Sequence, residues 1–392
     1  MLKSILAACA AAVVFQMAAP ANAATERAIY AFKNGSDGAL PLSRLIAMGG
    51  MLYGTTEAGG PTHSGTVFAV TPKGVEHVVY AFNGGSDGEA PRAGLIDVGG
   101  LLYGTTAYGG GTGCGGAGCG TVFSVTPDGT EKIVYAFQGG DDGYQPGATL
   151  LRVGGRLYGT TTDGGGTGCG GAGCGTVFWV TPKGKEKVIH AFAGGSDGSQ
   201  PENAGVIDVG GTFYGTTVYG GGTACGGNGC GTVYAVAANG HESIVYAFSG
   251  NVTFPYGGVI DVDGVLYGTT DSGAFYSVTT AGAENTLHVF DGGSDGANPY
   301  SGLIDVGGTL YGTTDTGGGS GCNGEGCGTV YSITTAGAES VVYAFKDGND
   351  GIGPQAALLD VNGTLYGTTV GGGGQVDCFA GGSCGTVFRV KP

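Results

Sequence analysis

Six aspartates stand directly before a glycine in segments of the Gly-Ser-Asp-Gly type: Asp37, Asp87, Asp142, Asp197, Asp295 and Asp350. Oxygen ligands in a glycine-rich loop suit a hard cation such as calcium. The same residues also suit an Asx turn, in which the carboxylate caps its own backbone. A dedicated calcium loop would carry more carboxylates at alternating spacing, and Asp347-Gly348-Asn349-Asp350 comes nearest. Calcium is compatible with these loops and not required by them. Five tyrosines share the same kind of loop: Tyr108, Tyr144, Tyr219, Tyr256 and Tyr300. An aromatic ring with a polar tip can stack on a sugar, and it can equally pack over loop glycines. Ten of the eleven cysteines fall into five pairs, Cys114/Cys119, Cys169/Cys174, Cys225/Cys230, Cys322/Cys327 and Cys378/Cys384. Spacing of five or six residues with no accompanying histidine is poor for zinc and lacks the redox Cys-x-x-Cys pattern. Disulfides are the expected state, within reach if each loop folds back.

Catalysis would need residues that break the pattern. His190 and His288 replace a tyrosine on what reads as an outer strand. His63, His77 and His241 lie in or near loops. None has a recognisable Ser or Asp partner in sequence, so no triad is supported. Asp97, Asp208, Asp261, Asp305 and Asp360 recur in Leu/Ile-Asp-Val segments. They form an acidic ring with a bound metal if they point inward, or accept bonds from the adjoining tight turn. Trp179 stands alone on a strand and reads as core.

The elements that hold these residues follow from the tetrapeptide Tyr-Gly-Thr-Thr. It begins at Tyr53, Tyr103, Tyr158, Tyr214, Tyr267, Tyr311 and Tyr366. A repeat of about 50 residues with strand-like text is a propeller or another closed array. One unit reads as four strands joined by turn text: Gly94–Val98, Leu101–Thr106, Thr121–Val125 and Lys132–Phe137. Gly99-Gly100 and Pro127-Asp128-Gly129 supply tight turns. Four antiparallel strands make a propeller blade. The chain opens on fourth-strand text at residues 28–32 and ends on third-strand text at residues 386–390. The fold expected is an all-β, seven-bladed propeller whose ring is closed by that N-terminal strand. A motif present in every blade cannot be one active site, so Tyr-Gly-Thr-Thr reads as packing. Its glycine marks a close approach, expected to come from the adjacent blade.

The combined unit is Tyr-Ala-Phe, Gly-Gly-Ser-Asp-Gly, Pro, Gly-Leu-Ile, Leu-Tyr-Gly-Thr-Thr, Gly-Gly-Gly, Cys-Gly-Thr-Val-Phe, Thr-Pro. It resembles the GloVer tandem repeat of bacterial exported proteins across residues 28–390. The resemblance implies an exported repeat protein and carries no catalytic residues. Anchored members bear C-terminal surface anchors. This chain ends Arg389-Val390-Lys391-Pro392, and no anchor of that kind is expected.

Residues 1–23 read as a secretory signal, with Lys3, an apolar run over Ile5–Val14 and a small-x-small site at Ala21-Asn22-Ala23. A lipidated Cys9 is the competing reading, disfavoured because only eight residues precede it. The expected mature form, residues 24–392, is one propeller domain, secreted or periplasmic, which agrees with paired cysteines. The whole chain has a net charge of −16; removing Lys3 leaves 14 basic against 31 acidic residues, or −17. That balance excludes nucleic acid as a partner. No run reaches the ~20 apolar residues of a membrane helix. Oligomeric state is left open.

The long second-to-third and blade-to-blade loops share one face, where function on repeat scaffolds concentrates. Three functions fit: a binding module for a glycan or surface protein through that face, a hydrolase or lyase centred on the channel with metal assistance, or a purely structural surface protein. Scarce basic residues weigh against the enzyme.

Overall fold

The computed structural model describes residues 24–202, 205–374 and 384–392. The expected signal segment, Cys9 and Cys378 lie outside the described residues. Within them, seven antiparallel sheets, six of four strands and one of five, form a seven-bladed propeller. Blade two shows the plan: Ile96–Val98 innermost, then Leu101–Thr106, Thr121–Val125 and Glu131–Ala136 outermost. Blade three gains a fifth strand, Tyr144–Pro146, paired with the end of Arg156–Asp163. The ring closes as the sequence requires. Thr25–Ala31 pairs antiparallel with Thr386–Lys391 and supplies the outer strand of blade seven.

Third strands such as Thr121–Val125 are buried at every residue, because each blade face is covered by a neighbour. The core is therefore a set of seams. Tyr53, Val67, Ala69 and Phe82 of blade one pack with Leu95, Leu102, Phe123 and Val125 of blade two. Phe82 meets Phe123 edge-on at 5.0 Å across that seam. The closing seam repeats the arrangement, with Phe32, Tyr366 and Val387 against Leu45, Leu52 and Phe68.

Each letter of Tyr-Gly-Thr-Thr has a separate task. The tyrosine packs into the next blade, as Tyr103 does beside Leu157 and Phe178. The second threonine joins its hydroxyl to the threonine opening the third strand, as in Thr106 to Thr121 at 2.8 Å. Such buried hydroxyls need partners, and here they supply one another. The first threonine reaches the following blade: Thr216 donates to the Pro255 carbonyl and Thr269 to the Pro299 carbonyl, each at 2.8 Å. The glycine faces the cross-strand aromatic of its own blade. A Cβ at Gly104 would lie 2.7 Å from Phe123 and 2.8 Å from Leu95. The close approach is thus a ring laid over a bare Cα within one blade, which corrects the expectation that the adjacent blade makes it. Gly104→Ala is expected to cost about 2 kcal/mol by overpacking, measured by urea unfolding. A loss below a few tenths would show that Phe123 moves freely.

Four complete disulfides are present among the described residues: Cys114–Cys119, Cys169–Cys174, Cys225–Cys230 and Cys322–Cys327, with Cα separations of 5.3–5.4 Å. The second cysteine of each is buried. A Cβ at Gly139 would meet Cys114 Sγ at 2.8 Å, so the bridge lies against the loop that leaves the outer strand. The fifth expected pair, Cys378/Cys384, is not among these four. Only its second member falls within the described residues, because Cys378 lies outside them. Cys384 is a half-cystine, fully buried in the closing seam with Phe32 and Val387. Its carbonyl accepts the Leu40 N–H at 3.1 Å. It thus occupies the place that Cys119 holds in blade two, directly before the glycine that precedes the third strand. No described helix is long and apolar enough to cross a membrane.

Candidate ligand site at the channel mouth

Every loop entering an inner strand contains a proline at a fixed place: Pro41, Pro91, Pro146, Pro201, Pro255, Pro299 and Pro354. These rings are seated by the previous blade. A Cβ at Gly120 would stand 2.5 Å from Pro146 Cδ, so that glycine leaves room for the ring. Together with the threonine bonds described above, this fixes the residue after each proline at the mouth of the central channel. Those residues are Leu42, Arg92, Gly147, Glu202, Tyr256, Tyr300 and Gln355. All seven line a cavity of about 730 Å³, joined by Arg44, Glu57 and Asp315 among others. A volume of this size is in the usual range for a small-molecule site.

The cavity is asymmetric. On one side Tyr256 and Tyr300 meet edge-on, with ring centroids 5.6 Å apart. Across from them the Arg92 guanidinium donates to Glu57 Oε1 at 2.6 Å. Gln355 Nε2 donates to Asp315 Oδ1 at 3.0 Å. Burial raises the Asp315 carboxyl above the usual carboxylate range, partly opposed by that bond. Burial also raises Glu202, helped by the charge of Asp163 and opposed by Arg92. Loss of water around Arg44 lowers its pKa. Burial and the Asp271 carboxylate push the Tyr300 phenol up to about 12. The wall thus offers carboxyls, the amides of Gln145 and Gln355, two guanidinium groups and two ring faces. No histidine lines it.

The sequence singled out five tyrosines, and the structure separates them. Tyr256 and Tyr300 line the cavity. Tyr108 and Tyr144 stand beside it 6.3 Å apart, both accepting from Gln145 Nε2 at 2.7 and 3.0 Å. Arg92 lies 5.9 Å from the Tyr108 ring. Tyr219 packs on Phe254 and borders a smaller cavity near Cys169 and Asn228. Sequence reasoning passed over Leu42, Arg44, Arg92, Glu202 and Gln355. The signal was present: aligned at its loop proline, the repeat changes chemistry at the next position in almost every blade.

The loop aspartates behave as turn caps with an added partner. Asp87 accepts the Asn83 N–H at 2.7 Å and the Tyr80 hydroxyl at 2.9 Å. Asp142 does the same with Gln138 and Tyr135, both at 2.7 Å. Asp350 does so with Lys346 and Tyr343, at 2.8 and 2.9 Å. Tyr30 serves Asp37 at 2.7 Å. At Asp197 and Asp295 the partner is His190 or His288, at 3.5 and 3.4 Å. These histidines therefore have the aspartate neighbours that sequence separation concealed. Asp97, Asp208, Asp305 and Asp360 each accept the N–H of the glycine three residues on, at 2.7–2.9 Å. That is the turn role. Trp179 is buried, with Arg156 4.2 Å from its ring.

A family model described as the Gloeobacter/Verrucomicrobia repeat matches residues 8–227, 117–324 and 223–392. None of the curated proteins compared with the chain matches it. Among solved structures, the computationally designed Ika8 protein is similar over 93% of this chain and 99% of its own, at 12% identity and a TM-score of 0.50. BamB from Moraxella catarrhalis is similar over 90% of this chain and 85% of its own, at 12% identity and a TM-score of 0.48. At such identity the likeness to Ika8 concerns the fold alone.

Proposed function

The chain belongs to the Gloeobacter/Verrucomicrobia repeat family, and from that premise we propose an exported binding module that takes a carbohydrate at its channel mouth. One observation carries this reading. A repeated scaffold varies its chemistry at the seven positions that face a common cavity. Invariant positions hold the blades together, whereas varied positions around a cavity are what recognition of an asymmetric ligand needs. A polyhydroxylated ring suits the wall: Tyr256 and Tyr300 offer apolar faces, and Glu202, Asp315, Gln355 and Arg92 offer planar hydrogen-bonding groups. The disulfides support an oxidising compartment, and the signal-like residues 1–23 support export.

Tyr256→Ala and Tyr300→Ala are each expected to weaken binding about tenfold, equivalent to ~1.4 kcal/mol. The measurement is titration calorimetry with a neutral oligosaccharide selected from a glycan array. Val75→Ala, exposed and outside this cavity, should leave affinity within about twofold. Retention of full affinity by both channel-mouth variants would exclude this site.

A further inference from the structure

The outer rim carries a second chemistry, independent of the channel. Where blades three and four meet, His190, Asp197 and Glu242 each turn one ligand atom inward, and these atoms all lie within 4.8 Å of one another. His190 ends the outer strand of blade three (Glu186–Ala191), and Asp197 follows in its loop. Glu242 opens the outer strand of blade four (Glu242–Ala247). We propose that these three side chains hold a divalent transition metal, zinc by preference, that ties the two blades together.

The repeat supplies its own control. In four other blades the position of His190 is a tyrosine whose hydroxyl bonds the loop aspartate at 2.7–2.9 Å. There the tyrosine proton satisfies the aspartate, while the facing glutamate oxygen stays without a partner, as Glu242 Oε1 does here. The imidazole cannot reproduce that bond. His190 Nε2 stands 3.5 Å from Asp197 Oδ1, too far for a sound hydrogen bond. It is shielded from solvent without a hydrogen-bond partner, and so is Glu242 Oε1. Unpartnered buried polar atoms ordinarily destabilise a seam, and His288 Nε2 and Glu339 Oε1 are left so between blades five and six. The 3.5 Å separation of His190 from Asp197 instead matches the ~3.3 Å edge of a tetrahedron with metal–ligand bonds of about 2.0–2.1 Å.

The donor set also fits. One imidazole nitrogen and two carboxylates are borderline-to-hard ligands, and three protein ligands leave one position for water. Asp197 is already oriented for the task, because the Ala193 N–H donates to its other oxygen at 2.6 Å. Such outer bonds are what fix a ligating carboxylate. The seam between blades five and six holds the same residue types, His288, Asp295 and Glu339. Among the described residues these are not drawn into an equivalent cluster, and Asp295 interacts with Asp291 instead.

The test is zinc titration of the purified chain after chelator treatment, read by competition with a chromophoric chelator. Cobalt absorption in the visible then reports the coordination geometry. One zinc per chain and tetrahedral cobalt bands are expected. His190→Tyr, which installs the repeat's own residue, should weaken zinc at least about tenfold while leaving the unfolding midpoint in chelator unchanged or raised. Glu242→Gln should weaken zinc comparably and guards against a folding artefact in the first variant. His288→Tyr should leave affinity unchanged. Equal zinc affinity in the parent and His190→Tyr, or no saturable binding below about 1 mM, would overturn the site.

Discussion

A chain beginning at Phe32 is expected to be less stable and more prone to self-association than one beginning at Ala24. The seven residues Thr25–Ala31 are the only strand that blade seven does not receive from its own end of the sequence. They pair with Thr386–Lys391 over six aligned positions. Ile29 and Tyr30 pack on the closing seam, and Tyr30 holds Asp37. Net ladder bonds of about 1 kcal/mol each and partial burial of two large side chains place the loss on the order of 5 kcal/mol. That is a large part of the 5–15 kcal/mol typical of a folded protein. The bared edge of residues 386–391 would also be free to pair with another chain. Urea unfolding should show a lowered midpoint, and size-exclusion chromatography should show dimers or larger species. A peptide of residues 24–33 supplied in trans should restore both, by strand addition. A shortened chain that elutes as the longer one does and loses less than about 1 kcal/mol would mean that six complete blades and three strands suffice.

Closure was legible in the sequence because strand identity survives at both termini. Ala28-Ile29-Tyr30-Ala31-Phe32 reads as an outer strand, and Thr386–Val390 reads as a third strand lacking one. The blade plan was legible for the same reason, since Tyr-Gly-Thr-Thr keeps largely the same packing and bonding roles from blade to blade, blade five departing with Thr270 bonded to Ser272. The partner of Gly104 was not, because a bare Cα announces close approach without naming what approaches. The channel mouth was half legible. Tyr256 and Tyr300 stand out as loop aromatics, but so does Tyr219, which packs on Phe254 behind Tyr256 and does not line the cavity. What distinguishes them is their place directly after a proline pinned by the preceding blade, and that pinning is a tertiary fact. His190 and Asp197 sit only seven residues apart, yet the third member of their cluster, Glu242, is supplied by the next blade. A charged residue opening an outer strand reads as a solvated face, and only the ring arrangement turns it inward.

That inward turn sets the second large effect: the protein is expected to grow less stable as pH rises from about 5 to about 8. Six glutamates open outer strands against the loop aspartate of the preceding blade: Glu26 with Asp350, Glu76 with Asp37, Glu131 with Asp87, Glu186 with Asp142, Glu242 with Asp197 and Glu339 with Asp295. In each, one glutamate oxygen is shielded and without a hydrogen-bond partner. Burial first, and then the facing aspartate, pushes Glu131, Glu186, Glu242 and Glu339 up to about 7. In Glu26 burial and Asp350 reach about 9. Burial raises Glu76 as well. A carboxyl raised in the folded state binds more protons folded than unfolded between its two pKa values. Its stabilisation is complete below about 4.5 and is lost as pH rises through about 7, and through about 9 for Glu26. Asp197 runs the other way. His190 and the Ala193 N–H overcome its burial and lower its pKa, so it loses stability only toward acid. Because these glutamates are half exposed, solvent screening cuts each contribution to roughly 0.5 kcal/mol. Six of them then amount to about 3 kcal/mol, a few degrees in Tm for a chain of this size. Thermal melts in chelator at pH 5 and pH 8 measure the difference. Combining Glu131→Gln with Glu186→Gln should shrink it by about a third, since an amide keeps the shape and cannot ionise. A Tm that rises with pH would show that these seams open to water and that their carboxylates titrate as ordinary surface groups.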